Sequence, residues 1–468
     1  MFKKLLLLVV ALLLAGAPSV FAGVGVFDFT GDVGAVGGYG VTTTIGGVYE
    51  IIAGGSDIWG SADQFHYAYK QVSGNVRFEL TPMWEVAPDY WSKIETMIRV
   101  DTSTGSVAYA TATRRQDQNT TVVAPVSPGP WVGAQIRSVA NNNMWGGTEW
   151  GGQVPQKIGS QRVVSNGYQV VQSLVDFGGG WQNLDTRLVP SLPDEILLGA
   201  AVTSHNNNAL ARAQISNVAY TANPDLVGIK QAGDPLPEAC GDVLGFLVSA
   251  AKMPPGWTFW NEGDGERPSA YRQAEYLAKN SGFTGYFEGD PTEYPSLEFG
   301  TEYRRFVNLA DAGEGRAFHA GNGFPDAAFP GVDDWVYPDP DPDGDDQFAV
   351  VVEACIELTE GLHVLGGAFD DGVLIRIGGV EIGRTNDWNE TSAWVFEAPT
   401  AGHYSLEAVG YEMGGGAFME LYEYLPNGTM ILLGDVANGG SPVYVPEPAT
   451  IALLGFGGLS MLRIRRKR

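Results

Sequence analysis

The chain has 468 residues, of which 44% are hydrophobic and 11% aromatic, and it contains 63 Gly and 27 Pro. This length suffices for about three domains of ~150 residues or for two larger β-domains. The formal net charge of −26 repels phosphate, which argues against nucleic acid as a partner. Glycine shows no three-residue period and the apolar content is ordinary, so collagen-like and disordered classes are excluded.

Residues 1–22 have the layout of a secretory signal peptide. Lys3 and Lys4 precede an apolar run over residues 5–15, and Val20-Phe21-Ala22 ends the segment with small or apolar residues. This pattern is typical of a leader that is cleaved after export by the Sec machinery. The mature chain is therefore expected to begin at Gly23.

Residues 23–222 consist of short alternating runs separated by glycine-containing turns. In one such run Val76, Phe78 and Leu80 alternate with polar residues, which predicts a half-buried strand. Because these runs and turns recur through the whole segment, we expect an all-β sandwich.

Three stretches of this segment carry a family resemblance. They are the turn Asp57-Ile58-Trp59-Gly60, the aromatic strand over residues 65–69 and the late strand Val202-Thr203-Ser204-His205. Their order resembles the concanavalin-like (laminin-G-like) jelly roll over residues 26–220. Members of that fold bind sugars or proteins, and some hydrolyse glucans with an E-x-D-x-E strand. That spacing does not occur within residues 23–222, so no catalytic residue is predicted there.

Exposed aromatic residues are the candidate binding groups of this first domain. Aromatic faces stack on pyranose rings, and amides bond to hydroxyl groups. Trp59 and Trp145 are therefore candidate sugar-binding residues, together with Trp131, Trp150 and the amide run over residues 141–143. The alternative is that these tryptophans pack in the core.

Residues 223–238 contain Asn-Pro and Pro-Leu-Pro breakers and are predicted as a linker. A second domain is expected over residues 239–427. Its strand-like runs cover residues 348–356, 373–377, 404–411 and 418–424. The two cysteines, Cys240 and Cys355, either form a disulfide or remain free buried thiols, and the sequence leaves this open.

The segment Phe369-Asp370-Asp371-Gly372 begins one of these strands. Two adjacent carboxylates offer hard oxygen ligands of the kind that Ca²⁺ prefers. With the Gly-rich hairpin over residues 412–417, the order resembles the anthrax protective-antigen-type β-sandwich over residues 255–425. In lectins of that family a cis peptide joins the Asp pair, which holds a Ca²⁺ that binds sugar hydroxyls. The resemblance implies this role for Asp370 and Asp371, and a structural turn is the alternative.

A second acidic stretch precedes the strand at residue 348. Asp339, Asp341 and Asp343 satisfy the first half of a calcium loop, D-x-D-x-D-G. The twelfth position is Val350 rather than Glu, so the stretch is not an EF-hand. We expect either a looser calcium-binding loop or a solvated linker.

The end of the chain, after a predicted stalk over residues 428–445, carries the most specific pattern. Pro446-Glu447-Pro448 is followed by an apolar segment over residues 449–462 and a basic end containing Arg463, Arg465 and Arg466. The apolar run is shorter than the ~20 residues of a comfortable span, which favours a transient membrane association. Residues 446–468 resemble the PEP-CTERM sorting signal of Gram-negative bacteria. That resemblance implies processing by an exosortase and delivery to the cell surface or extracellular matrix.

Together these patterns predict an exported, non-catalytic protein with two β-sandwich domains of the jelly-roll type. Its expected ligand is extracellular polysaccharide, with Ca²⁺ as the expected cofactor at Asp370 and Asp371. One alternative is a purely structural matrix protein without a small ligand. The other is a polysaccharide-degrading enzyme.

Overall fold

The computed structural model describes residues 21–115, 127–237, 240–252, 274–275, 299–310, 327, 329, 348–385, 392–412 and 417–446. The chain divides into two compact units between Gly228 and Ile229. Each unit contains two β-sheets with apolar side chains between them, and neighbouring strands are antiparallel except at residues 230–231, which pair in parallel with residues 396–397. The all-β sandwich architecture predicted from the alternating runs is therefore confirmed.

The first unit contains fifteen strands in the described residues. They are β1 (Phe21–Val24), β2 (Phe27–Val33), β3 (Val41–Ile45), β4 (Val48–Ala53), β5 (Phe65–Val72), β6 (Val76–Val86), β7 (Lys93–Arg99), β8 (Ala108–Arg114), β9 (Trp131–Arg137), β10 (Trp145–Gly151), β11 (Lys157–Ser165), β12 (Tyr168–Asp176), β13 (Trp181–Leu188), β14 (Ile196–Thr203) and β15 (Ala211–Ala222). An eight-stranded sheet has the order β1-β2-β5-β14-β7-β8-β9-β10, and a seven-stranded sheet has the order β13-β12-β11-β6-β15-β4-β3.

The core of this unit lies between the two sheets. Phe78 and Leu80 of β6 meet Ile94 and Ile98 of β7 in one buried cluster. Fully burying such a side chain contributes about 1.5–3 kcal/mol. Because side chains alternate along a strand, the residues between Ile94 and Ile98 that do not face the core point to the other face of the eight-stranded sheet. That face is called the outer face below.

The second unit contains thirteen strands in the described residues. They are β16 (Lys230–Gln231), β17 (Phe246–Lys252), β18 (Phe299–Arg304), β19 (Asn308–Ala310), β20 (Phe348–Leu358), β21 (Gly361–Phe369), β22 (Gly372–Ile377), β23 (Val380–Thr385), β24 (Ser392–Ala398), β25 (Gly402–Glu412), β26 (Phe418–Tyr424), β27 (Met430–Leu432) and β28 (Val443–Tyr444). One sheet has the order β16-β24-β21-β26-β19, with β27 paired to β26. The other has the order β18-β17-β20-β25-β22-β23, with β28 paired to β20.

The predicted linker and stalk both contribute to the sandwiches. The amide side chains of Gln161 and Gln172 donate to the carbonyls of Asp225 and Val227, and β16 pairs with β24. Ile431, Leu433 and Val443 are buried. Residues 428–445 therefore belong to the second sandwich rather than to a free stalk, because their apolar side chains complete its core.

The two cysteines form a disulfide between Cys240 and Cys355, with their Cα atoms 5.9 Å apart. The bridge joins the start of the second unit to β20 across 115 residues of sequence. On the chain-entropy model a loop of this length is stabilised by about 4–5 kcal/mol. This settles the alternative that the sequence left open.

The strand β1 begins inside the predicted signal peptide. Phe21 pairs with Thr30, and Ala22 pairs with Phe29. Cleavage after Ala22 stays a prediction.

Candidate functional site

The Asp370–Asp371 pair lies where the chain crosses between the two sheets of the second unit. It links β21 of one sheet to β22 of the other, and the peptide bond that joins the two residues is cis. The Asp370 amide donates to the carbonyl of Phe418 at 3.2 Å, and the Asp371 amide donates to that of Tyr411 at 2.9 Å. The crossing is therefore attached to β26 and β25 at once, which fixes both carboxyl groups at this end of the sandwich.

Glu412 completes the carboxylate group. It is the last residue of β25 and is buried, while Asp370 and Asp371 are half-exposed. Pairing of Gly372 with Tyr411 places the end of β25 beside the start of β22. One carboxylate oxygen from each of the three residues lies within 4.8 Å of the others. Residues 370, 371 and 412 are called the carboxylate triad below.

The carboxylate triad fits a hard divalent cation. Calcium binds oxygen ligands at 2.3–2.6 Å, so two ligands on one ion stand up to about 5 Å apart. The 4.8 Å limit on the oxygens matches that span. Two half-exposed carboxylates would leave the ion open to solvent on one side, where additional oxygen ligands can bind. Magnesium, with its stricter octahedron and shorter bonds, fits this protein-only donor set less well.

Sequence reasoning found two members of this group and missed the third. The Asp pair is visible as adjacent acids before a strand, whereas Glu412 precedes a glycine run that offered no Asp or Asn ligand. The one available signal was its position at the end of a strand-like run, next to that glycine turn. Asp339, Asp341 and Asp343 lie outside the described residues, and their role stays a prediction.

Trp59 and Trp145 are both exposed, at 41% and 43%, but they do not form one platform. A Cβ atom on Gly146 would lie 3.7 Å from Cη2 of Trp59. Trp145 precedes Gly146 on β10 and therefore points to the opposite face, where it stacks on the guanidinium of Arg187 at 4.9 Å. The two tryptophans therefore lie on opposite faces of the eight-stranded sheet, and their role in sugar binding stays a prediction.

The sorting signal is only partly within the described residues. Pro446 is described, whereas Glu447, Pro448, Arg463, Arg465 and Arg466 lie outside. In the part of the chain that the structure describes, there is no helix of the length and apolar character needed to cross a membrane. An E-x-D-x-E spacing does occur at Glu262, Asp264 and Glu266, also outside the described residues.

Residues 445–467 match the model of the PEP-CTERM protein-sorting motif. The motif indicates an exported protein that is sorted to the envelope or surface of a Gram-negative bacterium. No curated protein matches the chain. The assignment of the two sandwiches to the concanavalin-like and protective-antigen-type families stays a prediction.

Several solved structures are similar to parts of the chain. The PA14 sugar-binding domain from an RTX adhesin is 18% identical over 41% of this chain and 95% of its own, with a TM-score of 0.23. The PA14 domain of the MpAFP antifreeze protein is 13% identical over 46% and 96%, with a TM-score of 0.26. The Epithelial Adhesin 9 A domain from Candida glabrata, in complex with Galb1-3GlcNAc, is 11% identical over 47% and 98%, with a TM-score of 0.29. All three TM-scores are low.

Proposed function

We propose that the protein is a non-catalytic surface or matrix component that binds Ca²⁺ at the carboxylate triad and extracellular polysaccharide through that ion. The observation that carries the proposal is the convergence of three carboxylate oxygens within 4.8 Å at one end of the second sandwich. Like charges this close repel one another, and a divalent cation removes the repulsion. Sugar hydroxyls are neutral oxygen ligands suited to the open side of such an ion.

The PEP-CTERM tail supports a location at the cell surface or in the matrix for this binding activity. A protein sorted to the cell surface by an exosortase meets the polysaccharide that the cell exports. An acidic surface remains well solvated there, and it attracts divalent cations. Binding of matrix polysaccharide by the exported sandwiches would anchor the protein or cross-link the matrix.

Calorimetric titration of Ca²⁺ into the purified full-length protein after chelator treatment tests the metal site. We expect saturable binding and a higher unfolding temperature, since a ligand at 100 times its Kd stabilises by about 2.7 kcal/mol. Asp371→Asn and Glu412→Gln should each abolish both effects. Glu360→Gln is the matched control, because this exposed acid lies at the opposite end of β21.

A glycan array probed with and without Ca²⁺ tests the second half of the proposal. Calcium-dependent binding that is lost in Asp371→Asn would support it. Saturable Ca²⁺ binding without any glycan signal would leave a metal-stabilised structural protein. Absence of Ca²⁺ binding would reject the site itself.

A further inference from the structure

The outer face of the first unit carries a row of residues that has no large side chain between its two glutamates. Strand register aligns Ala201, Glu95, Ala112, Gly133 and Glu149 across β14, β7, β8, β9 and β10. Because the two central positions are Ala and Gly, no large side chain rises from the strands between the two glutamates. A Cβ at Gly133 would lie 2.6 Å from Cζ2 of Trp131, so this indole occupies the space above it.

Aromatic side chains surround this row. Trp59 and Trp91 are 41% and 44% exposed, and Trp131 is half-buried. Trp59 lies over the ammonium of Lys93, with 5.4 Å from Nζ to the ring centroid, and Trp131 donates its Nε1 proton to Glu149 at 3.1 Å. With Tyr90 and Arg114 these three residues are called the tryptophan patch. Grouped exposed aromatic rings of this kind are typical of binding surfaces rather than of a solvated sheet face.

Arg114 lies in the middle of the aromatic rings of the patch. Its Cζ atom is 4.0 Å from the ring centroid of Trp91, 4.5 Å from that of Trp131 and 4.7 Å from that of Tyr90. Its Nη1 atom is buried and has no hydrogen-bond partner among the residues that the structure describes. A guanidinium held by aromatic faces keeps its in-plane donors available, and a carboxylate is the acceptor that matches them best. The patch therefore presents a preorganised cation.

Glu95 provides a second unsatisfied group on the same face. It is fully buried. When the side-chain amide of Gln135 is turned by 180°, its nitrogen donates to Glu95 Oε1 at 2.8 Å and its oxygen accepts from Lys93 Nζ at 3.1 Å. Within the described ranges, Glu95 Oε2 has no hydrogen-bond partner. Burial raises the pKa of Glu95 to about 8, so its carboxyl group is protonated at neutral pH and adds no negative charge to the face that a carboxylate ligand would approach.

We propose that the tryptophan patch forms a calcium-independent binding site for a carboxylated sugar residue of an acidic polysaccharide. The sugar ring stacks on Trp59 or Trp131, and its carboxylate pairs with Arg114. Neutral glucans lack the carboxylate and bind more weakly. This inference shares with the proposed function only the ligand class, since the site lies in the other sandwich and needs no metal.

Calorimetry with oligogalacturonate in the presence of chelator tests the site in the purified full-length protein. We expect saturable binding, which weakens at least about tenfold in Arg114→Gln, because this change removes the cation that pairs with the carboxylate, and in Trp91→Ala, because this change removes the ring that holds Arg114 in place. Arg187→Gln is the matched control, since this arginine stacks on Trp145 on the opposite face. Asp371→Asn should leave this binding unchanged. Thermal unfolding of each variant verifies that it is folded.

Four outcomes would overturn the inference. Oligogalacturonate does not bind in chelator, or it binds equally to wild type and both patch variants. A neutral glucan oligosaccharide of equal length binds as tightly, or polyglutamate binds as tightly and with the same dependence on Arg114. The last result would indicate an acidic peptide partner instead. Binding that appears only with Ca²⁺ and disappears in Asp371→Asn would belong to the carboxylate triad.

Discussion

In the first sandwich a buried carboxylate is surrounded by cations of the chain itself, whereas in the second three carboxylates are gathered side by side. Asp63 is completely buried and accepts from Arg99 Nη1 at 2.6 Å and from both terminal nitrogens of Arg137 at 2.6 and 2.7 Å. The carboxylate triad has the same number of charged groups but only one sign. The first arrangement is a structural ion cluster, and the second is the site at which we propose that an external cation binds.

We expect the largest effect of this difference when one carboxylate is neutralised in each arrangement, because the free energy of unfolding should respond differently in the two. Asp63→Asn leaves two buried guanidinium groups without their counter-ion, and we expect a loss of about 3–5 kcal/mol in the free energy of unfolding. Asp371→Asn in chelator is expected to leave stability unchanged or to raise it, because it reduces the repulsion within the triad. Urea unfolding of both variants measures the contrast.

Asp28→Asn, at an exposed position of β2, serves as the control for Asp63→Asn and should change stability by less than about 0.5 kcal/mol. If Asp63→Asn behaved like this control, the two arginines would have to be satisfied by their backbone acceptors alone. If Asp371→Asn in chelator were as destabilising as Asp63→Asn, the triad would be a structural cluster too.

Local patterns predicted the sandwiches well because strand alternation is a property of neighbouring residues. Val76, Phe78 and Leu80 are buried in the core as their spacing predicted. The runs predicted at residues 348–356 and 418–424 correspond to β20 and β26. Residues 428–445 were predicted as a stalk that ends in a stretch rich in Gly, Pro and Val before the sorting signal. In the structure β27 pairs with the preceding strand β26, and β28 pairs with the distant strand β20.

In the candidate site, too, the local sequence pattern does not reveal which side chains come together from strands that are distant in sequence. Adjacent acids identified Asp370 and Asp371, but Glu412 joins them through the register between β22 and β25. Register also decides which face of a sheet a side chain occupies. Trp59 and Trp145 are both candidate sugar-binding residues in the sequence, but they lie on opposite faces of the eight-stranded sheet. A shift of one residue reverses a side chain's face, and sequence alone does not specify that shift between distant strands.

Glu95 is a third kind of buried carboxyl group, because its negative charge is removed by a proton rather than by a cation. Since burial raises its pKa from 4.5 to about 8, the folded state binds more protons than the unfolded state between these values. Stability should therefore fall as pH rises through this window, with a contribution of up to about 1.4 kcal/mol per pH unit. Glu95→Gln mimics the protonated form and should flatten that slope in urea unfolding from pH 5 to pH 8.

The exposed Glu195→Gln is the control for Glu95→Gln and should keep the wild-type slope. Equal slopes in wild type and Glu95→Gln would mean that Glu95 is ionised in the fold. The carboxylate would then need a cation, and neutralisation by a proton would no longer be a third arrangement beside the Asp63 cluster and the carboxylate triad.

His205 supplies a cation that depends on pH, and it should give the smallest effect. Its Nε2 lies 3.4 Å from Asp57 Oδ2, and its Nδ1 lies 3.0 Å from Asp89 Oδ1. The hydrogen bond to Asp57 raises the pKa of His205 above 6.5, supported by the charges of both carboxylates and opposed by burial. The charged ring therefore stabilises the fold fully below pH 6.5, and this contribution is lost as pH rises through the raised value.

His205→Gln should remove that contribution, and the ring is about one-third exposed, so we expect a loss below about 1 kcal/mol. Because the interaction is between charges near solvent, salt should reduce it, whereas the fully buried Asp63 cluster should respond little. Urea unfolding of wild type and His205→Gln at pH 5.5 and pH 8.5, in low and high salt, separates these cases. A difference that grows from pH 5.5 to pH 8.5 would contradict the charged pairing and would make His205 a neutral hydrogen-bonding residue. A difference confined to the lower pH would show that His205 is a cation only when protonated. It would differ in this from the permanent arginine cations at Asp63 and from the external cation proposed for the triad.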